Sequence, residues 1–244
     1  MFLSSLETGS TEYIISHVGQ MNWNLCSYYY IRNQINTFRL ILNNSKQMLI
    51  DSGAHSFQKG KKVDWEKYTH KYAEFIRKND CSKILGYFEM DVDNIIGYGN
   101  VLRLRKVLAL ATDKIIPVWH KNRDIEEYEK MCHDYKGRII AITGFKNEDI
   151  QDEQYLLFLR YAWKHGCKVH CLGMTRKKIL DTVPFDFVDS SSWRQSAIYG
   201  KLGNRKVNRA FSSNNRHKHM YYAYLEGMKT QVHYYNKWRQ TNED

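Results

Sequence analysis

Short apolar runs alternate with amphipathic stretches along most of this chain, and that alternation predicts strand, helix, strand, repeated. The runs read as strands are residues 13–18, 48–50, 84–88, 115–119, 138–142, 168–172 and 185–188. Between them, Trp65, Tyr68, Tyr72, Phe75 and Ile76 fall at i, i+3, i+7, i+10 and i+11, which is one face of an amphipathic helix. Residues 126–135 and 153–165 carry the same period.

Parallel strands joined by crossover helices form either an open doubly wound sheet or a closed barrel, and periodicity does not separate the two. The polar residues do. Nearly every run ends in polar or small groups: Asp51-Ser52-Gly53, Glu89-Met90-Asp91-Val92-Asp93, His120, Thr143-Gly144, Gly173 and Asp189-Ser190-Ser191-Ser192. Functional groups at the C-terminal ends of many strands suit a barrel mouth. An open sheet gathers its ligands at one switch point. Neither GxGxxG nor GxxxxGK[ST] occurs, so the usual nucleotide cradles are missing. The expected fold class is α/β, a TIM-type (β/α)8 barrel with a basic, aromatic C-terminal helical extension.

At 244 residues and 43% hydrophobic, the chain suits one barrel domain over 1–244, with about 194–244 as the extension. It has no run of 18 apolar residues and no basic segment typical of a secretory leader at its start, so a cytoplasmic protein without a membrane span is expected. Five scattered cysteines suit a reducing compartment. Charge is more telling. The net charge is +11, and residues 194–239 hold ten basic side chains against the single acid Glu226. Arg194, Lys201, Arg205, Lys206, Arg209, Arg216 and Lys218 are among them, interleaved with Tyr199, Phe211, Tyr221, Tyr222 and Tyr224. Cations neutralise phosphates and aromatic rings stack on unpaired bases, so nucleic acid is the expected partner. A solvated basic face with its aromatics packed inward is the other reading.

Three aspartates each follow an apolar strand: Asp51, Asp91 and Asp189. One such residue is usually a helix cap. Three at equivalent positions point to chemistry, because paired carboxylates let one attack a sugar carbon while the other moves a proton.

In this order the segments resemble the tRNA-guanine transglycosylase superfamily, the queuine and archaeosine enzymes and their DNA-acting relatives. The resemblance runs from Leu49-Ile50-Asp51-Ser52-Gly53 through Glu89-Met90-Asp91-Val92-Asp93, Ile116-Pro117-Val118-Trp119-His120, Ile142-Thr143-Gly144 and Val169-His170-Cys171-Leu172-Gly173 to Phe185-Asp186-Phe187-Val188-Asp189-Ser190. It implies that Asp189 is the nucleophile and Asp51 the acid and base. It further implies that Asp91, Ser52, His120, Gly144, Phe57 and Gly173 meet the base, with Asp93 as the alternative to Asp91. His120 stands where the family carries glutamine. Either His55 or Phe57 takes the family's stacking aromatic, Phe57 preferred.

After Asp189 the chain reads Ser190-Ser191-Ser192-Trp193-Arg194 in place of the Pro-Thr-Arg run of the tRNA enzymes. The family's zinc cluster has no match, since Cys132, Cys167 and Cys171 lack the spacing. No metal and no cofactor are therefore expected beyond a 7-deazaguanine co-substrate such as preQ0. These departures make the chain most like the DNA-acting 7-deazaguanine branch of phages and bacteria, with DNA favoured over tRNA and a homodimer a further possibility. Two rival readings use the same residues: a retaining nucleosidase that hydrolyses the intermediate, and a non-catalytic nucleic-acid-binding subunit.

Overall fold

The structure is a computed structural model describing residues 1–57, 63–144, 149–198, 201–202, 205–206 and 213–239, of which 201–202, 205–206 and 213–214 are described as backbone alone. Nine strand segments form one sheet: β1 (Phe2–Ser4), β2 (Met21–Ser27), β3 (Ser45–Asp51), β4 (Ile84–Phe88), β5 (Ile115–Ile116), β6 (Val118–Trp119), β7 (Ile139–Thr143), β8 (Lys168–Leu172) and β9 (Phe187–Ser190). They lie in the order β5-β4-β3-β2-β1-β9-β8-β7-β6, every neighbour parallel. β5 and β6 are two halves of one pass, parted at Pro117, which has no N–H to give a ladder. One half pairs with β4 and the other with β7, while the Pro117 carbonyl accepts from Ala141 N at 2.8 Å. That shared pass brings the two ends of the sheet together, and helices ring the outside. This is a nearly closed, TIM-type parallel barrel, as the strand-end residues predicted.

The inner filling comes from alternate strand residues, Phe2, Leu25, Leu49, Phe88, Ile116, Val118 and Ala141. Larger clusters lie between the strands and the helices. The helix Trp65–Asn79 shows the logic: its predicted face of Trp65, Tyr68, Tyr72, Phe75 and Ile76 is buried, and Asp64 caps it by accepting from Lys67 N at 2.9 Å. The predicted helices over 126–135 and 153–165 correspond to Asp124–Asp134 and Tyr155–Lys164.

Three strand expectations change. Residues 13–18 belong to a helix, Thr11–Val18, whose Ile14 and Ile15 face the core. β1 and β2 are strands that the periodicity passes over. The last strand is Phe187–Ser190 and not 185–188, so Asp189 lies inside it, not beyond its end.

The C-terminal helix Ser213–Arg239 packs along the barrel wall beside the β1–β9 seam. There Tyr224 donates to Asn24 Oδ1 at 2.7 Å, and Gln231 donates to the Trp23 carbonyl at 2.6 Å. Its aromatics divide: Tyr224 and Tyr234 are buried, Tyr222 and Tyr235 exposed. No described helix is long and apolar enough to cross a membrane.

Candidate active site

Period two along each strand determines which side chains reach the barrel interior. Leu49 is inside, so Asp51 is inside two residues later; Phe187 leads in the same way to Asp189, and Phe2 to Ser4. These three polar residues thus stand above the apolar filling at the C-terminal mouth.

Asp189 is held on both oxygens. Oδ1 accepts from His170 Nε2 at 3.0 Å and from Gly173 N at 2.9 Å, and Oδ2 accepts from the Ser4 hydroxyl at 3.0 Å. An ionised carboxylate only accepts, so His170 carries its proton on Nε2. Gly173 adopts φ +64, the left-handed conformation that aims its N–H back at the carboxylate. Burial alone would raise Asp189, but the donors from His170, Gly173 and Ser4 outweigh it and hold the carboxyl below the ordinary carboxylate range.

Asp51 lies on the opposite side of this balance. Burial pushes its carboxyl up to about 6, against the bond from Gly53 N at 2.9 Å, and the charges of Asp189 and Asp91 add to the rise. Asp51 and Asp189 therefore sense each other across the mouth while their proton affinities are driven apart. A pair of that kind can divide into an ionised nucleophile and a proton carrier.

The third aspartate belongs to a buried ion network. Asp91 Oδ1 accepts from His120 Nε2 at 2.7 Å, and His120 Nδ1 lies 3.1 Å from Asp149 Oδ2. Burial would lower the imidazole, yet Asp91 outweighs it and His120 is raised. Both ring nitrogens of His120 are thus taken up by carboxylates. Arg123 donates to Asp93 at 3.0 Å and to Glu89 at 3.1 Å, and it reaches Asp91 at 3.5 Å. Arg105 also holds Glu89, at 2.5 Å. Asp93, the alternative to Asp91, is buried and held below its ordinary value: burial opposes this, but Arg123 prevails. Asp91, Asp93 and His120 place ligand atoms within 4.8 Å of one another, the spacing of a metal site. The Arg123 guanidinium already supplies positive charge there.

The other expected base contacts separate. Ser52 is buried beside Asp51 and its carbonyl accepts from Tyr68 Oη at 2.8 Å. Gly144 is packed so closely that an added Cβ would lie 2.7 Å from Cys171 Sγ, and its N–H is engaged by the Leu172 carbonyl at 2.9 Å. Phe57 sits in an aromatic group with Tyr29, Trp65 and Tyr68, while His55 is exposed. Cys167 donates its thiol to the Cys132 carbonyl at 3.1 Å.

Of the expected nucleic-acid contacts, Arg194 is half-buried near the mouth, and Arg216 and Lys218 are exposed on the C-terminal helix. Lys201 and Lys206 pair across a short antiparallel hairpin that also contains Arg205, with their side chains outside the described residues. Arg209 lies outside the described residues altogether.

Besides Arg123 and Asp149 in the ion network, three residues around Asp189 and Asp51 are not expected from the sequence: Ser4, Glu7 and His170. Glu7 follows β1, accepts from Ser27 N at 2.9 Å, and is pushed up to about 7 by burial. The signal for His170 was a polar residue inside an apolar strand. Ser4 and Glu7 required knowing that β1 exists. Comparison with known protein families, with curated proteins and with solved structures finds no match for this chain.

Proposed function

We propose that this chain is a nucleic-acid guanine transglycosylase that exchanges guanine in DNA for a 7-deazaguanine base. The observation that carries the proposal is the opposed pair, Asp189 held ionised and Asp51 raised to about 6, at one barrel mouth. The ordered segments that resemble the family, and the basic stretch after Asp189, support nucleic acid as the substrate.

Asp189 attacks the sugar C1′ as the bond from C1′ to guanine N9 breaks. The electron pair of that bond leaves with guanine, and Asp51 supplies a proton to the departing base. A covalent aspartyl-sugar ester remains. The incoming deazaguanine gives its N9 proton to Asp51 and attacks C1′, and the ester bond to Asp189 breaks. Two inversions retain the configuration. Asp91 accepts from the base's N–H edge, steadied from behind by His120. In duplex DNA the guanine must first leave the stack.

The test is incubation of the full chain with guanine-containing DNA or tRNA and a labelled 7-deazaguanine, followed by nucleoside digestion and mass spectrometry. Label in the DNA nucleosides supports the proposal. Free guanine without incorporation would indicate hydrolysis instead, and label confined to tRNA would move the substrate to the other branch. No guanine released from either polymer would overturn it.

A further inference from the structure

One buried acid beside the mouth has no part in the chemistry above. Glu7 stands in the turn that follows β1, and it is 3% exposed. Two non-glycine residues with left-handed backbone flank that turn, Ser5 at φ +74 and Ser10 at φ +60. Such conformations are costly and persist only where the surrounding structure holds them in place. Glu7 Oε1 accepts from Ser27 N at 2.9 Å at the end of β2, and the Cys26 thiol donates to the same carboxyl. Ser27 is the register partner of Asp51. Gly53 packs so closely on Ser27 that an added Cβ would lie 2.8 Å from its hydroxyl oxygen, and Gly53 N donates to Asp51 Oδ2 at 2.9 Å. A chain of close contacts thus runs from Glu7 through Ser27 and Gly53 to the proton carrier.

The bond from Ser27 N needs an oxygen and not a charge, so an amide would serve it without the cost of burying an acid. A carboxyl at this depth is explained if its proton is used. Burial pushes Glu7 up to about 7 against its bonds from Ser27 and Cys26, and the charge on Asp51 contributes to the rise. Asp51 itself is pushed up to about 6. Between these values two carboxyls hold one proton, and coupled groups titrate as a pair. Cys26 faces Glu7 from β2, and burial keeps its thiol neutral. Glu12, Tyr13, Tyr30, Arg194 and His217 line the cavity outside Glu7. Asp51 faces Asp189 from β9, Asp91 from the segment after β4, and Tyr68 and Tyr72 from the helix Trp65–Asn79.

We propose that Glu7 is a positioning residue for the proton transfer, which fixes the Asp51 carboxyl through Ser27 and Gly53 and shares one proton with it. The Ser27 hydroxyl, buried and bearing on the Asp51 carboxyl, carries that proton between the two acids. Glu7 gives the proton to Asp51, and Asp51 gives it to guanine, which leaves both carboxyls ionised. The incoming base returns a proton to Asp51, and Glu7 recovers it, so atoms and charge balance over the cycle. The inference rests on the transglycosylase reading for the use of the proton. It deepens that reading by naming the group that reloads Asp51 above about pH 6.

The test follows both acids by NMR in the full chain, labelled with carbon-13 at the carboxyls of aspartate and glutamate. Asp51 is assigned by its loss in Asp51→Asn and Glu7 by its loss in Glu7→Gln. In the unaltered chain each signal is expected to show two common steps, at about pH 6 and about pH 7. Asp51→Asn is expected to bring Glu7 below about 7 in a single step. Signals with these steps stand above the ordinary carboxylate range, so the unaltered chain decides even where a variant fails to fold. Independent single steps there would overturn the shared proton. Guanine exchange measured against pH is the second arm. Its alkaline limb is expected to fall by about one pH unit in Glu7→Gln, which keeps an oxygen for Ser27 N. A rate lowered at every pH with the limb unmoved would make Glu7 a structural residue and overturn the proposal. Exchange alongside independent titrations removes the shared proton and leaves the transglycosylase reading intact. Common steps without any exchange keep the pair and remove the reading.

Discussion

Ser4 and Asp189 are 185 positions apart in the chain, yet the Ser4 hydroxyl donates to Asp189 Oδ2 at 3.0 Å across the seam where β1 meets β9. The proposed nucleophile is thus fixed by the first and last strands together. Asp189→Asn retains the shape and removes the attacking charge, so guanine exchange is expected to fall at least about 10³-fold, as for other removed nucleophiles. Nucleic-acid affinity should change less than about threefold. Denaturing gels should also lose the covalent protein-DNA band. Exchange at the original rate would show that another group attacks.

His170 tunes that charge. His170→Met removes the donor to Asp189 Oδ1, so the depressed carboxyl rises toward its ordinary value. The acid limb of kcat/KM against pH should then move to higher pH. A loss of rate with the limb unmoved would mean that His170 merely fills space.

Asp51 leaves a mark on stability. Its folded value of about 6 exceeds its ordinary 3.8, so the folded chain holds more protons than the unfolded one between those limits. Its contribution therefore declines as pH rises from about 4 to about 6 and stays low above. Asp51→Asn lacks this decline. Urea denaturation should show the variant gaining on the parent by about 3 kcal/mol between pH 4 and 7.5, at about 1.4 kcal/mol per pH unit. An unchanged difference across that range would place Asp51 in ordinary solvent.

Arg123 holds Glu89 and Asp93 in a site closed to water. Arg123→Met takes a buried cation from both carboxylates, leaving Glu89 to Arg105 and Asp93 to Asn122, and should cost about 3–5 kcal/mol of stability in chemical denaturation. A loss below about 1 kcal/mol would mean that Arg105 alone suffices for Glu89.

Gly144→Ala places a methyl 2.7 Å from Cys171 Sγ and 3.0 Å from the Leu172 carbonyl. A backbone neighbour cannot swing aside, so a cost of about 1–3 kcal/mol is expected in melting experiments. Full stability would show that β7 and β8 can part without penalty.

The barrel was legible because polar residues repeat at strand ends, a signal that survives without knowledge of packing. β1 and β2 were not. β1 has only three residues, too few for any period to show, and the apolar run 13–18 imitates a strand because Ile14, Ile15 and Val18 also form one helical face. Asp51 and Asp189 were legible as carboxylates after apolar runs, but their partners were not. Ser4 and His170 reach Asp189 through tertiary pairing, which linear order does not encode. Phe57 and Gly144 show the converse, since their surroundings draw them into packing roles that a motif cannot distinguish from base contacts.

The split pass at Pro117 joins the two ends of the sheet, and β1 against β9 completes the circle. Asp189 takes its donors from β1, from β8 and from the turn after β8, so its charge is stabilised only once the circle is complete. A nascent or half-denatured chain contains the same aspartate without those donors. In the proposed exchange, attack on the sugar is thereby deferred until assembly is finished.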